Sequence, residues 1–311
     1  MHGHADAGLT RRAALRLLGA TTAGGALVTT LGPAPAAAQA LSPTLASAPA
    51  RDLDPLLAPI DEQLPGMMAT HRVPGVAVGL LVDGTPHAAG WGVTNLDYPR
   101  PVDASTVFHI GSSTKPFTGA LLARLADQGR LDFDAPLRMY LPDLALSDPE
   151  VTQRITVKHL VTHSSGFWGE EIPDGGRGDD ALARMMAGLA DRPQVSPLGR
   201  FFGYNNAAVA LAGHVAATVS GRPYEDAVQE LVLTPLGMRH SSFFLSDVVD
   251  YSVAAGHVLG PNGLQVERPY TSGLFSRSMA PTGALLSTAD DLLRWARSSS
   301  ATAAPRTAPA S

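Results

Sequence analysis

The 311-residue chain contains no cysteine. That absence excludes structural disulfides, thiolate nucleophiles and cysteine-ligated metals together. Lysine is almost missing as well. Lys115 and Lys158 are the only two among 23 basic residues, the rest being arginine. Charge is sparse at 16%, and the formal net charge is -5. No basic stripe or arginine run lies beyond the extreme N-terminus, which argues against a nucleic-acid partner. No apolar run is long and unbroken enough for a transmembrane span. No spacing of side chains suggests a metal site, no pattern calls for a cofactor, and no internal repeat is visible.

What is present is a chain that is 45% apolar, enough for one large domain or two lobes sharing a core. The N-terminus reads as a targeting segment. Thr10 precedes paired Arg11 and Arg12, a weakly apolar Gly/Ala/Thr-rich run follows, and Ala38-Gln39-Ala40 offers a small-residue cleavage site. This pattern is similar to a bacterial twin-arginine signal, so residues 1–40 are expected to direct export to the periplasm or the extracellular space. Residues 41–52 form a Pro/Ala-rich flexible lead-in.

Helical spacing begins at Asp54 and runs to about Thr70, with Pro59 and Pro65 expected to shorten or kink it. Two nearly all-apolar runs flank Asp83-Gly84, a hairpin signal, and their composition predicts a sheet covered on both faces. Leu121, Leu122 and Leu125 recur at helical spacing after Ser112, and Gly129 is placed to end that helix. Residues 130–240 read as mostly helical, broken by proline and glycine. The last residues, 297–311, lack any large aliphatic or aromatic side chain and read as a disordered tail.

One stretch, "FHIGSSTKPF", raises a chemical question. Residues three apart share a helix face, so a neutral Lys115 amine can reach the Ser112 hydroxyl and act as its base. An arginine would suit a solvated face equally well, but only a lysine can lose its proton inside a site. Bringing a lysine from about 10.4 to near 7 takes roughly 4–5 kcal/mol from burial or neighbouring positive potential. The plain alternative is Ser112 as an N-cap with Lys115 solvated. It fits poorly, because a helix N-terminus disfavours cations. The spacing alone arises readily by chance.

The surrounding segments carry more weight. "FHIGSSTKPFTGALLARLADQGRL", "ITVKHLVTHSSGF", "FFGYNNAAVALAGHVAATVSG" with its later Pro-Leu-Gly-Met turn, and "APTGALLSTADDLLRWA" occur in that order. Together, over about residues 60–296, they resemble the serine β-lactamase-related family: class C β-lactamases, D-Ala-D-Ala carboxypeptidases and related esterases. The resemblance implies an α+β, transpeptidase-like domain over 53–296, with an antiparallel sheet flanked by helices and a helical lobe at about 130–240. It implies Ser112 as nucleophile, Lys115 and Tyr204 as its proton partners, and Asn206 as a residue that bonds Lys115 and the substrate amide. On sequence physics alone, Tyr204 is more readily an ordinary buried aromatic with a hydrogen-bonded hydroxyl, and Asn206 is almost equally an N-cap of the following helix. His163 reads as a residue that ends a helix or supports the site, and not as a base. His214 and His257 read as structural or exposed.

The resemblance also implies a third motif, Lys-Thr-Gly or His-x-Gly, on a strand well beyond "STADDLLRWA". The chain ends at Ser311 without one, and the sole look-alike, "GHVLG" at 256–260, precedes that segment and has the wrong spacing. The sequence therefore reads as C-terminally truncated, missing sheet strands and one wall of an oxyanion hole. The implied function is a serine hydrolase forming an acyl-enzyme on a small-molecule or peptide carbonyl: a β-lactam, a D-amino-acid peptide or an ester. The rival is a catalytically impaired homologue or a non-catalytic binding protein. Reading the DNA beyond the final codon in the other frames is expected to reveal the third motif. Its absence over the next few hundred bases rejects truncation by frameshift.

Overall fold

The computed structural model describes residues 54–261, 263–267 and 276–302. The leader 1–40, the lead-in 41–52 and residues 303–311 lie outside them. Helix α1 (Asp54–His71) runs through both of its prolines. It leads into β1 (Gly75–Val82) and β2 (Thr85–Gly92), an antiparallel hairpin closed by Val82 opposite Thr85. Asp83 and Gly84 both take positive φ, +49° and +79°. Two left-handed residues make the tight turn whose twist matches the flanking strands. After the two-residue strand β3 (Phe108–His109) comes α2 (Lys115–Asp127), ended by Gly129 at φ +69°.

The helical lobe follows. It contains α3 (Pro149–Arg154), α4 (Val157–Val161), α5 (Ala181–Ala187), α6 (Asn206–Ser220), α7 (Tyr224–Val228) and α8 (Thr234–Leu236). A second hairpin, β4 (His257–Gly260) with β5 (Gly263–Val266), precedes α9 (Ala280–Gly283), β6 (Leu286–Ser287) and α10 (Ala289–Thr302). The "GHVLG" segment is thus a plain hairpin strand. Helix α10 continues into the stretch read as a disordered tail, which corrects that boundary. Serine and alanine cannot build a core, yet they are compatible with prolonging a helix already anchored by Leu293 and Trp295.

The core is centred on α2. Its buried face, Phe117, Leu121, Leu122 and Leu125, belongs to one hydrophobic cluster with Leu211 and Val215 of α6 and the buried Leu233. Phe117 also packs on Trp295 of α10, with ring centroids 4.3 Å apart. The strands form three separate two-stranded ladders, β1–β2, β3–β6 and β4–β5. β3 and β6 are too short to show any alternation in sequence, so their pairing was not legible there. Among the described residues β1 pairs on one edge only. Beside it lies an open groove of about 550 Å³ lined in part by Gly75, Ala77, Leu81, Phe108, Ile110 and Leu292. The hairpin is consequently half-buried rather than covered on both faces.

Small residues let α9 come close to α6. A Cβ at Gly213 would lie 2.1 Å from Pro281 Cγ. Gly213→Ala should therefore cost about 1–3 kcal/mol through overpacking. Gly119→Ala on α2, where a Cβ meets nothing within 4 Å, should instead stabilise by about 0.5–1 kcal/mol. Denaturant midpoints of the two variants test both signs.

Candidate active site

Ser112 lies in a single 3-10 turn, Gly111–Thr114, that feeds directly into α2. Gly111 has φ +54°, and Thr114 locks the turn by donating to the Gly111 carbonyl at 2.7 Å while accepting from the Leu285 N–H at 3.1 Å. Pro116 fits the first turn of α2, where a backbone N–H has no helical acceptor. This arrangement leaves the Ser112 hydroxyl exposed and puts half-buried Lys115 on the same side.

Lys115 Nζ donates to Ser112 Oγ at 3.0 Å and to the Thr282 carbonyl at 2.8 Å. The carbonyl is what reconciles a cation with a helix N-terminus, since it places a fixed negative partial charge against the ammonium. One turn along, Thr118 donates to the Pro281 carbonyl at 2.6 Å. Its only proton is then used, so the Tyr224 hydroxyl, 2.7 Å away, donates to it. Burial pushes the Tyr224 phenol well above the usual tyrosine range, consistent with a permanent donor. The Arg277 guanidinium secures the start of this segment by two 2.8 Å hydrogen bonds to Glu225 on α7, and it also pairs with Asp179.

Tyr204 approaches from the opposite side. Its hydroxyl donates to Ser112 Oγ at 2.8 Å, and Lys115 Nζ lies 4.9 Å from its ring centre. Partial burial works to raise the Tyr204 phenol. Hydrogen bonding with Lys115 and Ser112, and the Lys115 charge, outweigh it, so the group titrates below the ordinary tyrosine value. Ser112, Lys115 and Tyr204, separated by up to 92 residues, therefore form one triangle around a single hydroxyl oxygen.

Asn206 does not join that triangle. Its amide donates to the Glu170 carbonyl at 3.4 Å, while Lys115 donates to Ser112 and to the Thr282 carbonyl. The N-cap of α6 is its neighbour. The Asn205 side chain accepts from the Ala208 N–H at 2.7 Å and donates to Ser165 Oγ and the Phe167 carbonyl. Two adjacent asparagines offer the same capping chemistry in sequence, and only the backbone geometry selects between them. One further participant was not legible: the Thr282 carbonyl carries no sequence signature. His163, read in the sequence as ending a helix or supporting the site, does both, lying just past α4 and stacking on Tyr204 with ring centroids 4.7 Å apart. Among the described residues there is no His/Asp/Glu group placed to hold a metal, and no helix is long and apolar enough to cross a membrane.

The family model described as Beta-lactamase matches residues 60–310. Penicillin-binding protein 4 of Amycolatopsis lactamdurans is 34% identical over 236 residues, covering 76% of this chain and 62% of that protein. The octameric penicillin-binding protein homologue from Pyrococcus abyssi superposes with a TM-score of 0.65 at 29% identity, over 78% of this chain and 55% of its own. The D-alanine carboxypeptidase AmpC from Burkholderia cenocepacia gives a TM-score of 0.66 at 26% identity, over 83% and 67% respectively. The chain spans about half to two thirds of the length of the relatives it matches.

Four histidines around this framework, His109, His159, His163 and His214, titrate below the ordinary imidazole value, each chiefly because burial disfavours the charged ring. Between their folded and unfolded values the unfolded chain binds more protons, so stability rises with pH across that window. Stability should therefore be full above about pH 6.5 and decline as pH falls below it. Denaturant unfolding at pH 7.5 and pH 5 checks the sign, and a protein equally stable at both contradicts it.

Proposed function

Because this chain belongs to the β-lactamase family, a family of serine hydrolases, we propose that it is a serine hydrolase that acts on an amide or ester carbonyl through an acyl-enzyme at Ser112. The observation that carries the reading is the triangle of Ser112, Lys115 and Tyr204. A serine hydroxyl is a weak nucleophile until a neighbouring group takes its proton. Two groups are within reach, and the lowered phenol supports Tyr204 as the acceptor, with the Lys115 charge stabilising the phenolate. Ser112 Oγ then bonds the carbonyl carbon while its proton moves to the Tyr204 oxygen. As the tetrahedral species collapses, Tyr204 returns that proton to the leaving amine or alcohol. Water then attacks the acyl carbon as its proton passes to the same phenolate, and Tyr204 hands that proton to Ser112 Oγ as the acyl–oxygen bond breaks and the acid leaves.

The substrate classes that share this chemistry are β-lactams, D-amino-acid peptides and simple esters. Penicillin-binding and D-alanine carboxypeptidase relatives support the first two. The leader read at 1–40 adds export by the twin-arginine route to the proposal, tested by whether the secreted protein begins after Ala40.

A fluorescent penicillin and an activated ester test the reaction. Stoichiometric labelling with turnover, lost in Ser112→Ala, is expected. Labelling without turnover points to an impaired site, and folded protein that takes no label rejects the hydrolase in favour of a binding role. Acylation should rise with pH through an inflection below tyrosine's ordinary value of about 10. Tyr204→Phe should remove the inflection and cost about 10²–10⁴ in rate. A flat profile from pH 6 to 10 would remove Tyr204 from the proton path.

A further inference from the structure

We propose that His163 is a positioning residue for Tyr204, holding residues 203, 204 and 205 at once through its carbonyl, its ring face and its Nδ1 atom. The Gly203 N–H donates to the His163 carbonyl at 2.8 Å. The Asn205 N–H donates to His163 Nδ1 at 3.1 Å. Between them the Tyr204 ring lies on the imidazole, 4.7 Å between centroids and 30° between planes. The 202–203 peptide, the 204–205 peptide and the Tyr204 ring between them are therefore all tied to one residue. The inference rests on the reading of Ser112 and Tyr204 as the reacting pair.

The backbone at His163 supports a role beyond turning the chain. It has φ +56°, two residues past the end of α4. A side chain in the left-handed region costs of order 1–3 kcal/mol, and glycine escapes that cost. Gly166, three residues on, takes φ +78°. A residue needed only to reverse the chain would be free to be glycine. A histidine here brings an acceptor and a stacking face that glycine lacks. Phe202 also meets the imidazole, at a steep angle with ring centroids 5.6 Å apart.

The imidazole is also held in a useful protonation state. Accepting from Asn205 requires Nδ1 to be bare, which places the proton of the neutral ring on Nε2. Burial, then the nearby Lys115 charge, keeps the ring neutral to lower pH than an ordinary histidine. His163 is not a proton acceptor for Ser112. Its Nδ1 is occupied, and among the described residues no hydrogen bond joins it to Ser112. Its effect passes through Tyr204, whose hydroxyl must stay 2.8 Å from Ser112 Oγ. The Nδ1 latch is the decisive part, because it sets the peptide that carries the tyrosine.

Two variants separate the latch from the ring. His163→Phe keeps an aromatic face and loses the acceptor. His163→Asn loses the ring, places Oδ1 close to where Nδ1 was, and tolerates the left-handed backbone. The Tyr204 phenol is titrated by ultraviolet difference absorbance, with each protein's Tyr204→Phe counterpart subtracted, and acylation by p-nitrophenyl acetate is followed in the same samples. His163→Phe should move the phenol titration alkaline and slow acylation about 10- to 100-fold, the usual result of displacing a reacting group by an ångström. His163→Asn should stay nearer to wild type in both readouts. A folded His163→Phe protein that matches wild type overturns the proposal, and so does a folded His163→Asn protein shifted as far as His163→Phe. If His163→Phe does not fold, His163→Asn decides alone, by whether its phenol titrates with wild type. A wild-type protein that takes no acyl group defeats the hydrolase reading by itself, since the phenol titration needs no turnover.

Discussion

The site depends on a set of hydrogen bonds that lace residues 110–118 to residues 281–285. Ile110 N–H meets the Leu285 carbonyl, Leu285 N–H meets Thr114 Oγ1, Lys115 meets the Thr282 carbonyl, and Thr118 meets the Pro281 carbonyl. The two segments are more than 160 residues apart in sequence. Each bond satisfies a polar group at or near buried surface, where an unpaired one would cost about 1–3 kcal/mol. The lacing also resolves the awkwardness of a cation at a helix start. Without the Thr282 carbonyl, Lys115 would face the positive end of α2 with only hydroxyls for company. The short helix α9 delivers that carbonyl, and α9 is seated by its contact at Gly213 and by the Arg277–Glu225 pair.

The same constraint explains which parts of the molecule were legible in sequence. Ser112 and Lys115 share one helix face, so their meeting follows from helical period alone. Tyr204 required a resemblance, because nothing local links residues 92 positions apart. The hairpin 75–92 and the end of α2 at Gly129 were written in turn chemistry that glycine makes explicit. What sequence did not resolve falls into two physical kinds. Backbone groups such as the Thr282 carbonyl are identical at every position and leave no trace in residue type. Degenerate neighbours such as Asn205 and Asn206 can each do the other's work, and tertiary geometry alone distributes the roles. β3 and β6, two residues each, are held by long-range lacing and not by any alternation of their own.

Both partners of Ser112 are in turn held by groups outside the triangle. Lys115 hangs from the carbonyl of α9, and Tyr204 is carried on the loop before α6, latched to the loop after α4. The triangle of Ser112, Lys115 and Tyr204 is therefore assembled from separately supported pieces around one hydroxyl. An active site of this kind is sensitive to small displacements in elements that never touch a substrate. α6 links two of these pieces, since its Asn205 cap ties down the loop at 165–167 while Gly213 admits α9.

The scarcity of lysine gives this architecture an unusual spectroscopic transparency. Lys158 is exposed and paired with Asp134 at 3.1 Å, whereas Lys115 sits among Ser112, Thr282 and Tyr204. Isotopic labelling of lysine side-chain nitrogen would thus give two ammonium resonances from this chain, one of them inside the site and the other a built-in surface reference. The protonation, exchange and ligand response of the central amine could be followed directly, without mutating anything near it.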